Sequence, residues 1–169
     1  MRLLNYITES FNKPYSFTMV NQGRDVIEYE FYSGEIKYTC SFFRMNGIKK
    51  LKNIENYDMY SIINKNTPFE PSREIDMWIM TFIVGDYDID ITGTGDAMRI
   101  FATIITIAKN AIKKVNPQFL IFTASEPSRI KLYDRIMKNI GRFTKSKHKF
   151  IGSYKGANDT RYVIWDGKK

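Results

Sequence analysis

Cysteine and histidine are almost missing from this chain of 169 residues, each occurring once. The lone Cys40 can form no internal disulfide, so the fold does not depend on an oxidising compartment, and an intracellular, cytoplasmic setting is expected. The lone His148 stands between Lys147 and Lys149 with no partner at ligand spacing, and a surface position is expected for it. No uninterrupted apolar run is long enough to span a bilayer, and the opening MRLLNYITES meets Glu9 too early for a secretory signal. No membrane partner is expected. Internal repeats and low-complexity tracts are missing as well.

What the chain does have is apolar and aromatic bulk: 43% hydrophobic residues, with 12 Phe and 11 Tyr. That is ample for a packed core, and one domain over residues 1–169 is the simplest expectation. Lys and Arg together number 26 against 18 Asp and Glu, a formal charge of +8. Such a balance favours anionic partners: nucleic acid, nucleotides or acidic protein surfaces.

The patterning divides into two halves. In residues 1–92, RLLNYI reads as a short helix stopped by NKP, and YSFTMV follows as a strand. In DVIEYEFYSGEIKYTCSFFR, Ile27, Tyr29 and Phe31 alternate with Glu28 and Glu30, and Ser33-Gly34 marks a hairpin turn before Ile36, Tyr38, Cys40 and Phe42. Residues 45–75 read as an excursion rich in Lys, Asn and Tyr, with Pro68 and Pro71, holding a helical turn or two around ENYDMYSII. DMWIMTFIVGDYDIDIT reads as a second hairpin turning at Gly85-Asp86, with Tyr87, Ile89 and Ile91 opposite Asp88 and Asp90.

The second half, 87–169, alternates strands with helices. Met98, Phe101, Ile104, Ile105, Ala108 and Ile112 form a broad apolar helical face, leaving a narrow polar stripe of Arg99, Thr103, Thr106, Asn110 and Lys113. This helix is expected to be largely buried and to end at Asn116-Pro117. FLIFTA is a short strand, SEPSRIKLYDRIMKNIG a second helix, and KFIGSY and TRYVIW the closing strands. The fold class that follows is α/β (α+β): a mixed, mainly antiparallel sheet flanked by helices.

Gly93 and Gly95 sit where the strand pattern gives way to the helix. The first N–H groups of a helix lack internal partners and carry the positive end of its dipole, so a glycine-rich junction there can cradle a phosphate; it can equally be a tight turn. A dinucleotide fingerprint would need a glycine at Met98, and a P-loop would need Gly-Lys-Ser/Thr where Gly95 is followed by Asp96-Ala97. Neither motif is present.

DITGTG at the strand-to-helix junction, followed downstream by EPSRIKLY, resembles the GNAT acetyltransferase superfamily over residues 78–165. The longer phrase ITGTGD, FAT and FTASEPSRIKLYDR is also similar to an uncharacterised family of tailed-bacteriophage proteins. The first resemblance implies that the amides of Gly93, Thr94 and Gly95, with Arg99, hold the pyrophosphate of acetyl-CoA or another acyl-CoA. It also implies that Tyr133 protonates the departing thiolate, with Glu126 or Asp88 as base toward an amine acceptor of unknown identity. A phenol with pKa near 10 suits a thiolate leaving group. Asp90 stands where that family has Gln or Arg, and Glu126 where it has Asn. Asp96 would compete with a phosphate for the helix N–H groups.

A different class of function stays open beside acyl transfer. Lys131, Arg135, Lys138 and Arg142 fall on one helical face, with Arg129, Lys145, Lys147 and Lys149 nearby, and such a stripe can track a phosphate backbone or remain a solvated surface. Tyr57 and Tyr60 could stack bases if the fold brings them alongside. On that reading the chain is a non-enzymatic protein binding nucleic acid, a virion component or a host defence protein. Asp88, Asp90 and Asp96 could share a divalent cation, but solvated carboxylates are the commoner outcome and no metal is expected.

Overall fold

In a computed structural model, residues 13–45, 56–85, 97–124, 130, 134, 137 and 147–167 are described. The elements run β1 (Phe17–Gln22), β2 (Val26–Ser33), β3 (Ile36–Arg44), α1 (Tyr57–Asn66), β4 (Met77–Val84), α2 (Ala97–Val115), β5 (Phe119–Ala124), β6 (Lys149–Lys155) and β7 (Thr160–Trp165). The seven strands form one sheet in the order β1-β2-β3-β4-β5-β7-β6. Pairing is mainly antiparallel, while β4 and β5 run parallel, Met77 opposite Phe119 through Met80 opposite Phe122. The mixed, mainly antiparallel sheet flanked by helices is thus borne out. The chain divides into two compact units, one from Met1–Phe42 with Thr81–Val115 and the other from Phe43–Met80 with Asn116–Lys169.

In the first unit, period-two alternation does what it should. Ile27, Tyr29 and Phe31 of β2 are buried, as are Tyr38, Cys40 and Phe42 of β3, and Gly34 turns the hairpin at φ +62°. Their rings run in series: Tyr38 stacks on Phe31 with centroids 4.8 Å apart and on Phe82 at 5.6 Å. Between the two strands, Lys37 pairs with Glu30 at 3.3 Å, and the buried Ser41 donates to Glu28 at 3.1 Å. In the 19-residue α2, Ile100, Ile104, Ile107, Ala108 and Ala111 are buried along one helical face. It stops at Val115, where Asn116 takes φ +46° ahead of Pro117. One member of the expected polar stripe, Thr103, is fully buried.

The second unit is an apolar layer on each face of its strands. Met59 and Ile63 of α1, four residues apart, pack with Phe69, Met77, Phe119, Ile121, Tyr154 and Val163. Alternation sends Leu120, Phe122, Tyr162 and Ile164 to the opposite face, all of them buried. The helical turn or two expected around ENYDMYSII is a ten-residue helix. Asn56 caps it by accepting from the Met59 N–H at 2.9 Å, and Thr67 closes it by donating Oγ1 to the Ile63 carbonyl at 2.8 Å. His148 is a correction to the sequence reading: it is 4% exposed, with Nε2 3.3 Å from the Pro117 carbonyl. Lys147 and Lys149 on either side are exposed, while His148, just ahead of β6, turns inward against the Pro117 carbonyl.

The strand β6 meets α1 closely at Gly152, whose φ is +157°. A Cβ built there would lie 2.9 Å from Cγ2 of Ile62. Gly152→Ala is therefore expected to destabilise the chain by about 1–3 kcal/mol through crowding and backbone strain. Trimming the neighbour in the double variant Gly152→Ala, Ile62→Ala should cost less than the two single losses added together. Urea unfolding of the four proteins checks this, and additive losses would show that the contact is slack.

Candidate functional site

The amino end of α2 is where the glycine junction delivers the chain, and the first unit anchors it with residues far away in sequence. Thr103 Oγ1 donates to the Arg99 carbonyl one turn back at 2.8 Å and accepts the Tyr15 N–H at 2.8 Å. The hydroxyl of Tyr15 shares a 2.9 Å hydrogen bond with Ser33, and its ring stacks on Phe31 with centroids 6.1 Å apart. The Arg99 guanidinium also lies over that ring, with Cζ 3.9 Å from the centroid. Arg99 Nε then donates to the Lys13 carbonyl at 3.0 Å. Arg99 is exposed, and its two terminal nitrogens meet no acceptor among the described residues. A cation so held beside a helix start is suited to an anion: its rotamers are already fixed and the dipole has the same sign.

Of the residues predicted for cofactor, catalysis and the basic helical stripe, Arg99 alone lies within the described part of the chain; of the two candidate base-stacking tyrosines, Tyr57 is exposed and Tyr60 is half-buried against the core around α1. Gly93, Thr94, Gly95, Asp88, Glu126, Tyr133, Lys131, Arg135, Lys138 and Arg142 lie outside the described residues, as do Asp90, Asp96 and the expected short helix RLLNYI. Of the second predicted helix, Ile130, Asp134 and Met137 are described and helical, and Met137 is buried. Among the described residues, no group of three His, Cys, Asp or Glu could hold a metal ion, and no helix is long and apolar enough to cross a membrane.

The sequence reading missed Tyr15 and Tyr162. Tyr15 follows Pro14 in what reads as a stop signal, and nothing local points it at a helix more than eighty residues later. Tyr162 belongs to a strand whose alternation marks it as buried, but not its partners: its hydroxyl lies 2.9 Å from Asp134 Oδ1 and 3.2 Å from the Ile130 carbonyl. Burial pushes the Tyr162 phenol well up, and its hydrogen bond to Asp134 and that residue's charge push the same way. Burial likewise raises Tyr154 and Tyr29, and it raises the Cys40 thiol.

No protein-family model matches the chain, and no curated protein matches it. Among solved structures, the chain is similar to FeeM, an N-acyl amino acid synthase from uncultured soil microbes. The identity is 10%, over 98% of this chain and 86% of that one, with a TM-score of 0.49. A likeness of that size decides neither the fold family nor the chemistry.

Two predictions come from these side chains. Thr103→Val keeps the shape but leaves the Tyr15 N–H without its acceptor, and is expected to cost about 1–3 kcal/mol in urea unfolding. An unchanged midpoint would mean that Tyr15 does not depend on α2. The raised acids fix the alkaline behaviour. Each holds its proton to higher pH when folded than when unfolded, so its contribution is whole below the unfolded pKa and is lost as pH rises through the folded one. Stability should therefore begin to fall above about pH 9 through Cys40 and above about pH 10 through the phenols. Tyr162→Phe should make the fall above pH 10 shallower by at most about 1.4 kcal/mol per pH unit. Equal slopes in the two proteins would remove Tyr162 from the account.

Proposed function

We propose that the chain is an acyl-CoA-dependent N-acyltransferase of the GNAT type, acting on an amine. The observation that supports this most is the β4-α2-β5 unit. Two parallel strands in an otherwise mainly antiparallel sheet are joined through a 19-residue helix, and that helix starts directly after the Gly93-Thr94-Gly95 junction. The first N–H groups of such a helix, together with its dipole, favour an anion at its amino end. Arg99 adds a fixed cation to that end of α2.

On this reading the amides of Gly93, Thr94 and Gly95, with Arg99, neutralise a pyrophosphate. Coenzyme A would supply the acyl group as a thioester. Glu126 or Asp88 takes the proton of the attacking amine, and Tyr133 gives a proton to the sulfur as the carbon–sulfur bond breaks and the carbon–nitrogen bond forms. Each proton transfer is commonly worth about 10²–10⁴-fold in rate.

Calorimetry and melting curves with acetyl-CoA test the reading, and Asp96 sharpens the test. If the junction holds pyrophosphate, Asp96→Ala removes a competing carboxylate: coenzyme A should bind more tightly, at little cost in melting temperature. If Asp96 only caps the helix, the variant loses about 0.5–2 kcal/mol and gains no affinity. No heat and no thermal shift at millimolar acetyl-CoA, together with salt-sensitive binding of an oligonucleotide, would replace acyl transfer with the non-enzymatic reading.

A further inference from the structure

Lys13 and Tyr15 are fastened against one turn of α2 by three contacts, all of them within the first unit. Arg99 and Thr103, four residues apart, share one side of the helix. Thr103 Oγ1 accepts the Tyr15 N–H at 2.8 Å, Arg99 Nε donates to the Lys13 carbonyl at 3.0 Å, and the guanidinium lies over the Tyr15 ring at 3.9 Å. The ring itself has little freedom. Its hydroxyl is tied to the buried Ser33, and it is the first of four rings stacked in series, followed by Phe31, Tyr38 and Phe82. An arginine on a helix surface ordinarily samples many rotamers, and ordering them when a ligand arrives weakens binding. Here the ring and the Lys13 carbonyl have ordered the guanidinium beforehand. Because Nε is already engaged, the fork offers its two terminal nitrogens, which are exposed and meet no acceptor among the described residues. Two coplanar N–H donors match two oxygens of one phosphoryl group.

We infer that Tyr15 is a positioning residue: its ring holds the Arg99 fork ready for one phosphoryl group of the cofactor. The choice of ligand rests on the proposed acyl transfer from coenzyme A. The clamp itself does not rest on it. Tyr15 acts only through Arg99 and touches no reacting atom in this role, so its loss weakens cofactor binding without slowing the transfer step.

Calorimetric titration of the full chain with inorganic pyrophosphate and with coenzyme A tests this. Tyr15→Leu keeps the backbone bond to Thr103 but removes the aromatic face, and it should weaken both ligands about tenfold, as should Arg99→Ala. The double variant should bind no more weakly than Arg99→Ala alone, because the two residues act as one unit. Tyr15→Phe keeps the ring and should bind within about twofold of wild type. Arg99→Lys keeps the charge without the fork and should lose about as much as Arg99→Ala. In thiol release from acetyl-CoA over a panel of amines, Tyr15→Leu should raise KM for acetyl-CoA about tenfold at unchanged kcat. The wild type offers a signature of its own by NMR: the Arg99 Nε–H should exchange slowly, lie upfield through the Tyr15 ring current, and shift when pyrophosphate is added. Additive losses in the double variant, full affinity in Tyr15→Leu or Arg99→Lys, an Nε–H signal indifferent to pyrophosphate, or no binding of either ligand overturns the positioning role. Pyrophosphate binding with this pattern in a protein that releases no thiol with any amine overturns acyl transfer and leaves the clamp standing. Thiol release that Tyr15→Leu leaves unaltered in KM does the reverse.

Discussion

Asp76 commits every polar atom it has at the point where β4 and β5 start side by side. Its N–H donates to Gln118 Oε1 at 2.8 Å, and its carbonyl accepts the N–H groups of Gln118 and Phe119, each at 3.0 Å. The carboxylate takes Arg44 Nε at 2.8 Å on one oxygen and Trp78 Nε1 at 3.3 Å on the other. A parallel pair has no hairpin to set its register, so something outside the ladder must do it. Here the bracket between residues 76 and 118 places Met77 opposite Phe119, and each later rung follows by counting. Slip by one residue would send Phe119 and Ile121 to the wrong face.

The same register decides how the second unit uses its two faces. With Phe119, Ile121 and Val163 turned toward α1, the alternate residues Leu120, Phe122 and Tyr162 must go to the other side, and all are buried there. In a strand buried on both sides, an uncompensated polar group is costly. Tyr162 meets that demand by giving its hydroxyl to the helical turn at Ile130 and Asp134. The first unit solves a like problem at Thr103. That side chain is fully buried in α2 but is satisfied twice over, by the Arg99 carbonyl and by the Tyr15 N–H. In both units, then, polar groups forced inside by the pattern become the cross-links between elements.

These cross-links are the part least visible in the chain itself. The hairpin at Ser33-Gly34 was legible because alternation and turn chemistry are local, and the end of α2 at Asn116-Pro117 was legible for the same reason. The helix Tyr57–Asn66 was underread as a turn or two, because its strength comes from the Asn56 cap and from Met59 and Ile63 meeting strands far away. His148 departs from the surface position expected between two lysines, since exposed charge on either side of a residue says nothing of where its own side chain turns. Of the candidate site, the glycine junction and the KLY segment were read from motif alone. Arg99 was named as a cofactor contact, yet its clamp on Tyr15 and Lys13 spans 86 residues in sequence and could not be read.

By itself the sequence determined the period of the described strands and of α2, hence which residues could line a core, and where the Ser33-Gly34 hairpin turns and α2 ends. It also determined the absence of any internal disulfide. Tertiary structure alone decided that β4 and β5 lie parallel, that β7 comes between β5 and β6, that His148 and Thr103 face inward, and that Tyr162 holds Asp134. The reason is one of range: periodicity, capping and turns act over a few residues. A hydroxyl finding a carboxylate 28 positions earlier in the chain depends on where every intervening strand has already been placed.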